Sequence, residues 1–421
     1  MIKNVFDLIF SMENLYLALE DASRGRRYKR DVLLFNDNAG RFLRELREEV
    51  YQGTYCIDHY HVFYVYEPKK RMIMSINFRH RVIQWAIYRV LDPLLRKGYI
   101  EDTYGCIEGR GAVGAMKRLK YWVDETSRKS GTWYYLKLDI SKYFYRVSHR
   151  VLKRILRKKI SDERLLQLLY RIIDCETQGF GLPLGSKPGD VEPEDMLYDV
   201  GMPIGNLMSQ VFANLYLDAL DQFCKRVLRI HHYIRYMDDV IILSNDKAQL
   251  REWKDKIETF LLSELELNLN QKTCIRPVSQ GIEFVGYRIW STHVILRKKT
   301  SLRIKRSLRG VADKYHDYEL TLEDATASLR SYLGMMCHCD SYNLQTKILQ
   351  EFVLTHGTRE EIPWSEYETA SNAAMLSMDS ANDTGSLALP IASPTQTAES
   401  VGLTSYLLAR IHAAHVCITK F

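Results

Sequence analysis

The run Tyr233-Ile-Arg-Tyr-Met-Asp-Asp-Val-Ile-Ile-Leu243 limits the possible folds more than any other stretch of the chain. Two adjacent carboxylates, Asp238 and Asp239, lie between short apolar, β-branched segments of strand length, so a tight turn has to join two strands there. Neighbouring residues on a strand point to opposite faces, whereas at a hairpin tip both carboxylates can approach one ion. Adjacent acids repel, and a hard divalent cation such as Mg²⁺ is the counter-charge that carboxylate oxygens favour. An Asp-Asp pair by itself is most often a solvated turn. A third carboxylate elsewhere is what would give it catalytic meaning.

The 421 residues suffice for a sizeable core and two or three domains. The formal charge of +7 is unevenly spread, with a net +11 over residues 1–345 and a net −4 over residues 346–421. A basic body points to a polyanionic partner, nucleic acid ahead of a membrane surface. No run approaches the ~20 apolar residues that cross a bilayer. The N-terminal stretch, with Asp7 and Glu13, lacks the long apolar core of a secretory signal. The eight Cys are scattered without a paired CxxC frame, which predicts free thiols and a cytoplasmic location. Cys337-His-Cys339 is too tightly spaced for an ordinary structural zinc site.

In chain order, residues 12–50 predict helices around the basic cluster Arg24-Gly-Arg-Arg-Tyr-Lys-Arg30. Residues 62–66 and 72–76 predict a hairpin with Lys69, Lys70 and Arg71 at its tip, cations able to close over a triphosphate. On an edge hairpin the same cations would serve only to discourage aggregation. A helix over 82–91 follows, with Pro93 just beyond it. Gly109-Arg110-Gly111 would let backbone approach a ligand closely, although the Walker ending is missing. Residues 134–140 predict a buried strand that carries the third carboxylate, Asp139. Helices over 148–176 come next, then a Gly- and Pro-rich loop over 179–201, of a length usually functional or mobile. Gly205 permits close approach at the start of a helix through Ala213, Leu217 and Leu220, whose first amides can meet phosphate. Residues 282–289 predict strand, turn and strand, and residues 297–352 are basic and helical. Ser, Thr, Ala, Asn and Pro dominate residues 371–400, the composition of a linker or disordered segment.

Asp139, Asp238 and Asp239 form a set suited to phosphoryl transfer with two Mg²⁺ ions about 4 Å apart, with Mn²⁺ able to substitute. One ion would lower the pKa of a 3′-hydroxyl and the other would neutralise a triphosphate. Around these acids, motifs in fixed order resemble a reverse transcriptase: Lys69-Lys-Arg71, Gly109-Arg-Gly111, Leu138-Asp-Ile-Ser-Lys-Tyr-Phe144, Gly201-Met-Pro-Ile-Gly-Asn-Leu-Met-Ser-Gln210, Tyr236-Met-Asp-Asp239, Asn270-Gln-Lys272 and Phe284-Val-Gly-Tyr287. The resemblance implies an α+β right-hand polymerase. A helical extension would cover 1–55, fingers and antiparallel-sheet palm 56–290, a helical thumb 291–356, and a linker and tail of unassigned role 357–421. It implies RNA-directed DNA synthesis on template RNA, with primer, cDNA and dNTPs as further partners and no membrane.

Site residues follow from the resemblance one by one. Lys69 and Arg71 would bind the triphosphate, with Lys70 able to replace Lys69. Arg110, Gly205 and Gln210 would lie near the incoming nucleotide, and Phe144 would crowd a 2′-hydroxyl. Ile140 would offer a main-chain carbonyl to metal beside the three acids, and Lys272 would protonate pyrophosphate. Phe284, Val285, Gly286 and Tyr287 resemble a primer grip.

Ile204-Gly-x-x-x-Ser-Gln210 narrows the resemblance, because group II intron enzymes usually carry Gln-Gly and Ser-Pro at these places. The pattern resembles the reverse transcriptases of bacterial and phage diversity-generating retroelements. That implies error-prone copying of a template repeat and a small basic accessory protein as partner. Ile204 is then the fidelity candidate, since an apolar side chain beside the nascent pair offers no polar check on base geometry. Two alternatives stay open: an anti-phage defence reverse transcriptase, and an RNA-binding maturase or scaffold of the same fold.

Overall fold

The computed structural model describes residues 1–66 and 70–357, so Lys69 and nearly all of the expected tail from 357 lie outside the described residues. Two compact units result, residues 1–292 and the residues from His293 on.

The first unit opens with helices α1 (Phe6–Ile9), α2 (Met12–Ser23), α3 (Arg30–Asp37) and α4 (Ala39–Gln52), then the hairpin β1 (Tyr60–Val65) and β2 (Arg71–Ile76). Helices α5 (Phe78–Arg96) and α6 (Ala112–Ser127) lead to β3 (Tyr134–Asp139), α7 (Tyr143–Arg146), α8 (His149–Lys159), α9 (Glu163–Ile173) and α10 (Leu207–Gln222). The hairpin β4 (Tyr233–Tyr236) and β5 (Asp239–Ser244), helix α11 (Lys247–Leu265), β6 (Cys274–Pro277) and the short hairpin β7 (Ile282–Phe284) and β8 (Tyr287–Ile289) complete it. The central sheet has the order β4-β5-β3-β6, and every pairing in it is antiparallel. One continuous core runs from Val5 to Leu267. This is the α+β, antiparallel-sheet architecture expected of a right-hand polymerase.

Local chemistry sets the element ends. Ser11 Oγ accepts from the Asn14 amide at the start of α2, and Gly53, at φ +73°, ends α4 in the left-handed conformation that glycine tolerates best. Asp162 does two things at once. Its Oδ1 caps α9 at Leu165 N, while Oδ2 accepts from Val5 N and Phe6 N at 2.9 and 3.0 Å, fastening the N-terminal helices to the core.

One expectation is corrected. Pro93 does not lie beyond the helix but inside α5, which runs from Phe78 to Arg96. The ring forfeits one main-chain bond, yet Leu91 and Leu95 keep the buried stripe at helical spacing and Asp92 pairs with Arg96 across the proline. The segment 179–201, expected to be functional or mobile, is bonded to the rest of the unit at several places. Leu197 N donates to Gly181 O at 2.8 Å, Gly181 N returns to Leu197 O at 2.9 Å, and Gly201 N donates to Val147 O at 2.8 Å. Lys142 reaches Ser186 O, and Lys70 Nζ reaches Gly189 O at 2.8 Å, so the segment is pinned at several points along its length.

The second unit holds β9 (Val294–Leu296), α12 (Lys298–His316), α13 (Leu322–Met336) and α14 (Tyr342–Glu351). Helix α12 buries Thr300, Ile304 and Leu308 while Lys298, Lys299, Arg306 and Arg309 stay exposed. Cys337 and Cys339 give their thiols to the carbonyls of Gly334 and Met336 at the end of α13. No helix among the described residues is long and apolar enough to cross a membrane.

Behind the β4–β5 hairpin lies the most demanding contact of the core. Arg235 and Asp221 are both 0% exposed, and the guanidinium Nε and Nη2 each donate to a different carboxylate oxygen at 2.7 Å. Tyr233 and Thr103 hydroxyls donate to the same carboxylate at 2.6 and 2.7 Å. Removing one partner strands a buried charge, so Arg235→Met is expected to lower the unfolding free energy by about 3–5 kcal/mol. Urea denaturation of the two proteins measures it.

Candidate active site

The strand register brings the first acids together. Asp139, the last residue of β3, is paired directly with Asp239, the first residue of β5, so their side chains leave the same face of the sheet. Tyr236 pairs with Asp239, which leaves Met237 and Asp238 as the two-residue loop. The tip therefore holds Asp238 alone, and Asp239 belongs to the strand; the expectation of both acids at the tip is corrected by one residue of register. Met237 takes φ +53°, a conformation that turns of this length usually give to glycine. Two contacts hold it. Arg235 Nη1 donates to Met237 O at 3.0 Å, and Gly105 packs so closely that a Cβ there would fall 2.5 Å from Met237 N.

Burial pushes the Asp238 carboxyl up from its ordinary value, and Asp139 pushes it further, while Arg71 and Arg235 pull it down. Asp239 is raised to about 6, first by burial and then by Asp238 and Asp139, against the opposing pull of Lys137. The acids thus sit within reach of one another's fields, with cations on several sides. Lys137 Nζ lies 3.0 Å from each Asp239 oxygen and also donates to Glu283 O at 2.9 Å.

The backbone of Asp139 is held from both directions. Its amide donates to Thr273 Oγ1 at 3.4 Å, and its carbonyl accepts from Asn270 N at 2.7 Å. Lys272 is exposed on this same turn, and its amide donates to Asn270 Oδ1 at 3.2 Å. Ile140 is buried and bridges to Leu269. Sequence reasoning missed Lys137, Thr273, Arg235, Asp221 and Gly105 as functional supports. Only Lys137 carried a signal: two residues before Asp139 on a strand, it must share that face.

The remaining predicted residues divide. Phe144 is half-buried, its ring 5.5 Å from that of Tyr143, and its carbonyl accepts from Met202 N at 2.7 Å. Ile204 O accepts from Met74 N at 3.0 Å, tying the 201–210 segment to β2. Gly205 has φ +111°, and a Cβ there would lie 3.0 Å from the Ile73 side chain, a tight contact. Gly205 and exposed Gln210 line a cavity of about 150 Å³ with Arg81, Gln84, Trp85 and Asn206. Arg71 is exposed, whereas Lys70 lies 4.6 Å above the Tyr64 ring and donates to Gly189 O. Arg110 stands apart: its Nη1 donates to the carbonyls of Ile100, Glu101 and Thr103 at 2.8–3.0 Å, a loop-fastening task. In the β7–β8 hairpin, Phe284 and Tyr287 are buried in register, and the turn needs positive φ at Val285 (+43°) and Gly286 (+92°).

Among the described residues no three His, Cys, Asp or Glu side chains close into a ready-made metal cage. The acids nonetheless fit divalent ions. Their donors are hard oxygens, burial and then the neighbouring acids raise the Asp238 and Asp239 carboxyls, a strain that a cation would relieve, and buried Asp239 Oδ1 has the Lys137 ion pair but no hydrogen bond.

Residues 67–289, more than half of the chain, match a family model described as reverse transcriptase (RNA-dependent DNA polymerase). The chain is similar to Protein YkfC of Escherichia coli (strain K12), 26% identical over 284 residues, which cover 59% of this chain and 71% of that protein. It is also similar to the group II intron-encoded protein LtrA of Lactococcus lactis subsp. cremoris, 22% identical over 370 residues, 71% of this chain and 57% of LtrA. The chain thus spans little more than half the length of that relative. Among solved structures, apo telomerase from Candida tropicalis aligns with TM-score 0.43 and 13% identity over 70% of this chain and 61% of the other.

The raised Asp239 carboxyl gives a stability signature. Between its ordinary value of 3.8 and about 6, the folded chain holds the proton more tightly than the unfolded chain, so stability falls as pH rises through that window. Asp239→Asn removes the effect. Its thermal midpoint is expected to exceed that of wild type at pH about 7.5 and to approach it at pH about 4.5, read by metal-free thermal denaturation.

Proposed function

The chain belongs to the reverse transcriptase family, and we propose that it copies an RNA template into DNA by nucleotidyl transfer at Asp139, Asp238 and Asp239. The observation that carries the reading is the register of Asp139 opposite Asp239, with Asp238 on the adjoining turn. Acids so placed suit the transfer of a nucleotidyl group from a triphosphate to a hydroxyl. Asp139, Asp238 and the main chain of Ile140 would hold divalent ions, Mg²⁺ first, whose chemistry when bound is to acidify the primer 3′-hydroxyl and neutralise the triphosphate.

The chain's own residues supply the rest. Arg71, with Lys69, would hold the triphosphate through charge-assisted hydrogen bonds. The Phe144 ring would leave no room for a 2′-hydroxyl on the incoming nucleotide. Lys272, exposed on the turn that clamps Asp139, would hand a proton to departing pyrophosphate. Phe284 to Tyr287 would seat the primer end. The exposed cations of α12 suit the phosphates of a template–primer duplex, read by shape and not by sequence.

Within the family, Ile204 and Gln210 support the reverse transcriptase of a diversity-generating retroelement, which copies a template repeat with errors at adenines. The tie from Ile204 O to Met74 N would fix that apolar residue beside the nascent pair. The likeness to a group II intron-encoded protein favours a second reading, service to an intron RNA.

In primer extension on a defined RNA, Asp139→Asn and Asp238→Asn are expected to lose activity by at least about a hundredfold. Mutants as active as wild type would show the metal assignment to be wrong. Sequencing of the cDNA made by Ile204→Gln should show fewer misincorporations opposite template adenines; an unchanged error rate would remove the support for the diversity-generating reading.

A further inference from the structure

Lys137 belongs to none of the motifs that mark the site, yet its ammonium is shared between two parts of it. It stands on β3 two residues before Asp139, on the same face. Its Nζ is 3.0 Å from both Asp239 oxygens and 2.9 Å from the carbonyl oxygen of Glu283. Glu283 is the middle residue of β7, directly ahead of the Phe284–Tyr287 turn. One cation therefore joins a carboxylate of the acid cluster to the main chain of the hairpin that resembles a primer grip. The lysine is 24% exposed and the carboxylate 31%, so the contact is half-sheltered from water. Its geometry is also cross-linked, with hydrogen-bond acceptors from two elements on one ammonium, unlike a loose surface pair.

We propose that Lys137 is a positioning residue that acts through Asp239. Its charge occupies the Asp239 carboxylate, so divalent ions rest chiefly on Asp139 and Asp238, and its bond to Glu283 makes the placement of Asp239 depend on the hairpin that seats the primer. This rests on the polymerase reading, and it adds a residue to it.

The test is a double-mutant cycle in the full chain: wild type, Lys137→Met, Lys137→Arg, Asp239→Asn, and Lys137→Met with Asp239→Asn. Mn²⁺ affinity is read by electron paramagnetic resonance. Primer–template Kd, kcat and KM for dNTP are read separately. With the competing cation gone, Lys137→Met is expected to bind Mn²⁺ about threefold or more tighter, while kcat falls about tenfold or more and primer–template Kd stays within about twofold. Lys137→Arg, able to keep both contacts, should recover most of kcat. In the Asp239→Asn background, Lys137→Met should change Mn²⁺ affinity and kcat by less than about twofold, because the two residues act as a unit. Unchanged or weaker Mn²⁺ binding in Lys137→Met, an unchanged kcat, or equal effects in both backgrounds would overturn the proposal. If wild type extends no primer, the polymerase reading fails, while the Mn²⁺ cycle still decides whether Lys137 acts through Asp239.

Discussion

A buried ion pair, Arg235 with Asp221, sits beneath everything the site does. Two charges withdrawn from water are expensive, and their attraction compensates only when geometry is good and the other polar atoms are satisfied. Here the pair is bidentate, two hydroxyls complete the carboxylate, and the remaining guanidinium nitrogen reaches Asn214 and the Met237 carbonyl. The same arginine is bound through its main chain, donating to Asp102 O and accepting from Tyr104 N. The charge thus fixes β4, the 102–105 segment and the tip of the hairpin to one another. A turn whose first residue is methionine at positive φ needs such support from outside, because its own chain would relax elsewhere.

Above that foundation the acids are held closer than their charges favour. Burial and mutual repulsion raise the Asp238 and Asp239 carboxyls, and Lys137, Arg71 and Arg235 moderate the repulsion without removing it. Such an arrangement is poor for stability and good for receiving a cation, the usual conflict between a stable fold and a prepared site. The scaffold tolerates it because the strain is local: β3 and β5 behind it are apolar, with Leu136, Leu138, Val240 and Ile242 all fully buried.

Much of this was legible in the sequence because it depends on local pattern. Residues 134–140 could be little else than a buried strand, and the β4–β5 and β7–β8 hairpins showed as short apolar runs broken by turn residues. The one-residue error at Asp238 and Asp239 has a physical source. A two-residue loop normally announces itself with glycine or asparagine, and here Met237 occupies the positive-φ position, held by Arg235 of β4, itself fixed to Asp221, and by Gly105 from outside the hairpin. Pro93 misled because burial of Leu95 outweighs a lost hydrogen bond, and the anchors of the 179–201 segment, Val147, Lys142 and Lys70, gave no signal because they are distant in sequence. Asp221 gave no signal at all: an acid in a helix is ordinarily solvated, and only the fold reveals that Arg235 faces it. Arg110 looked like a ligand-binding arginine because the loop it fastens is invisible to composition.

The clamp on Asp139 bears on how the protein is made. Its amide and carbonyl are held by Thr273 and Asn270, and the lysine beside it is anchored at Glu283. A chain leaving the ribosome has all three acids by residue 239, but lacks the turn that fixes the first and the hairpin that anchors the last. The arrangement of the acids is therefore completed late in translation, through contacts spanning more than a hundred residues, the kind that close slowly. A nascent or truncated product ending before residue 270 would carry every acid of the set and still lack the frame that aligns them.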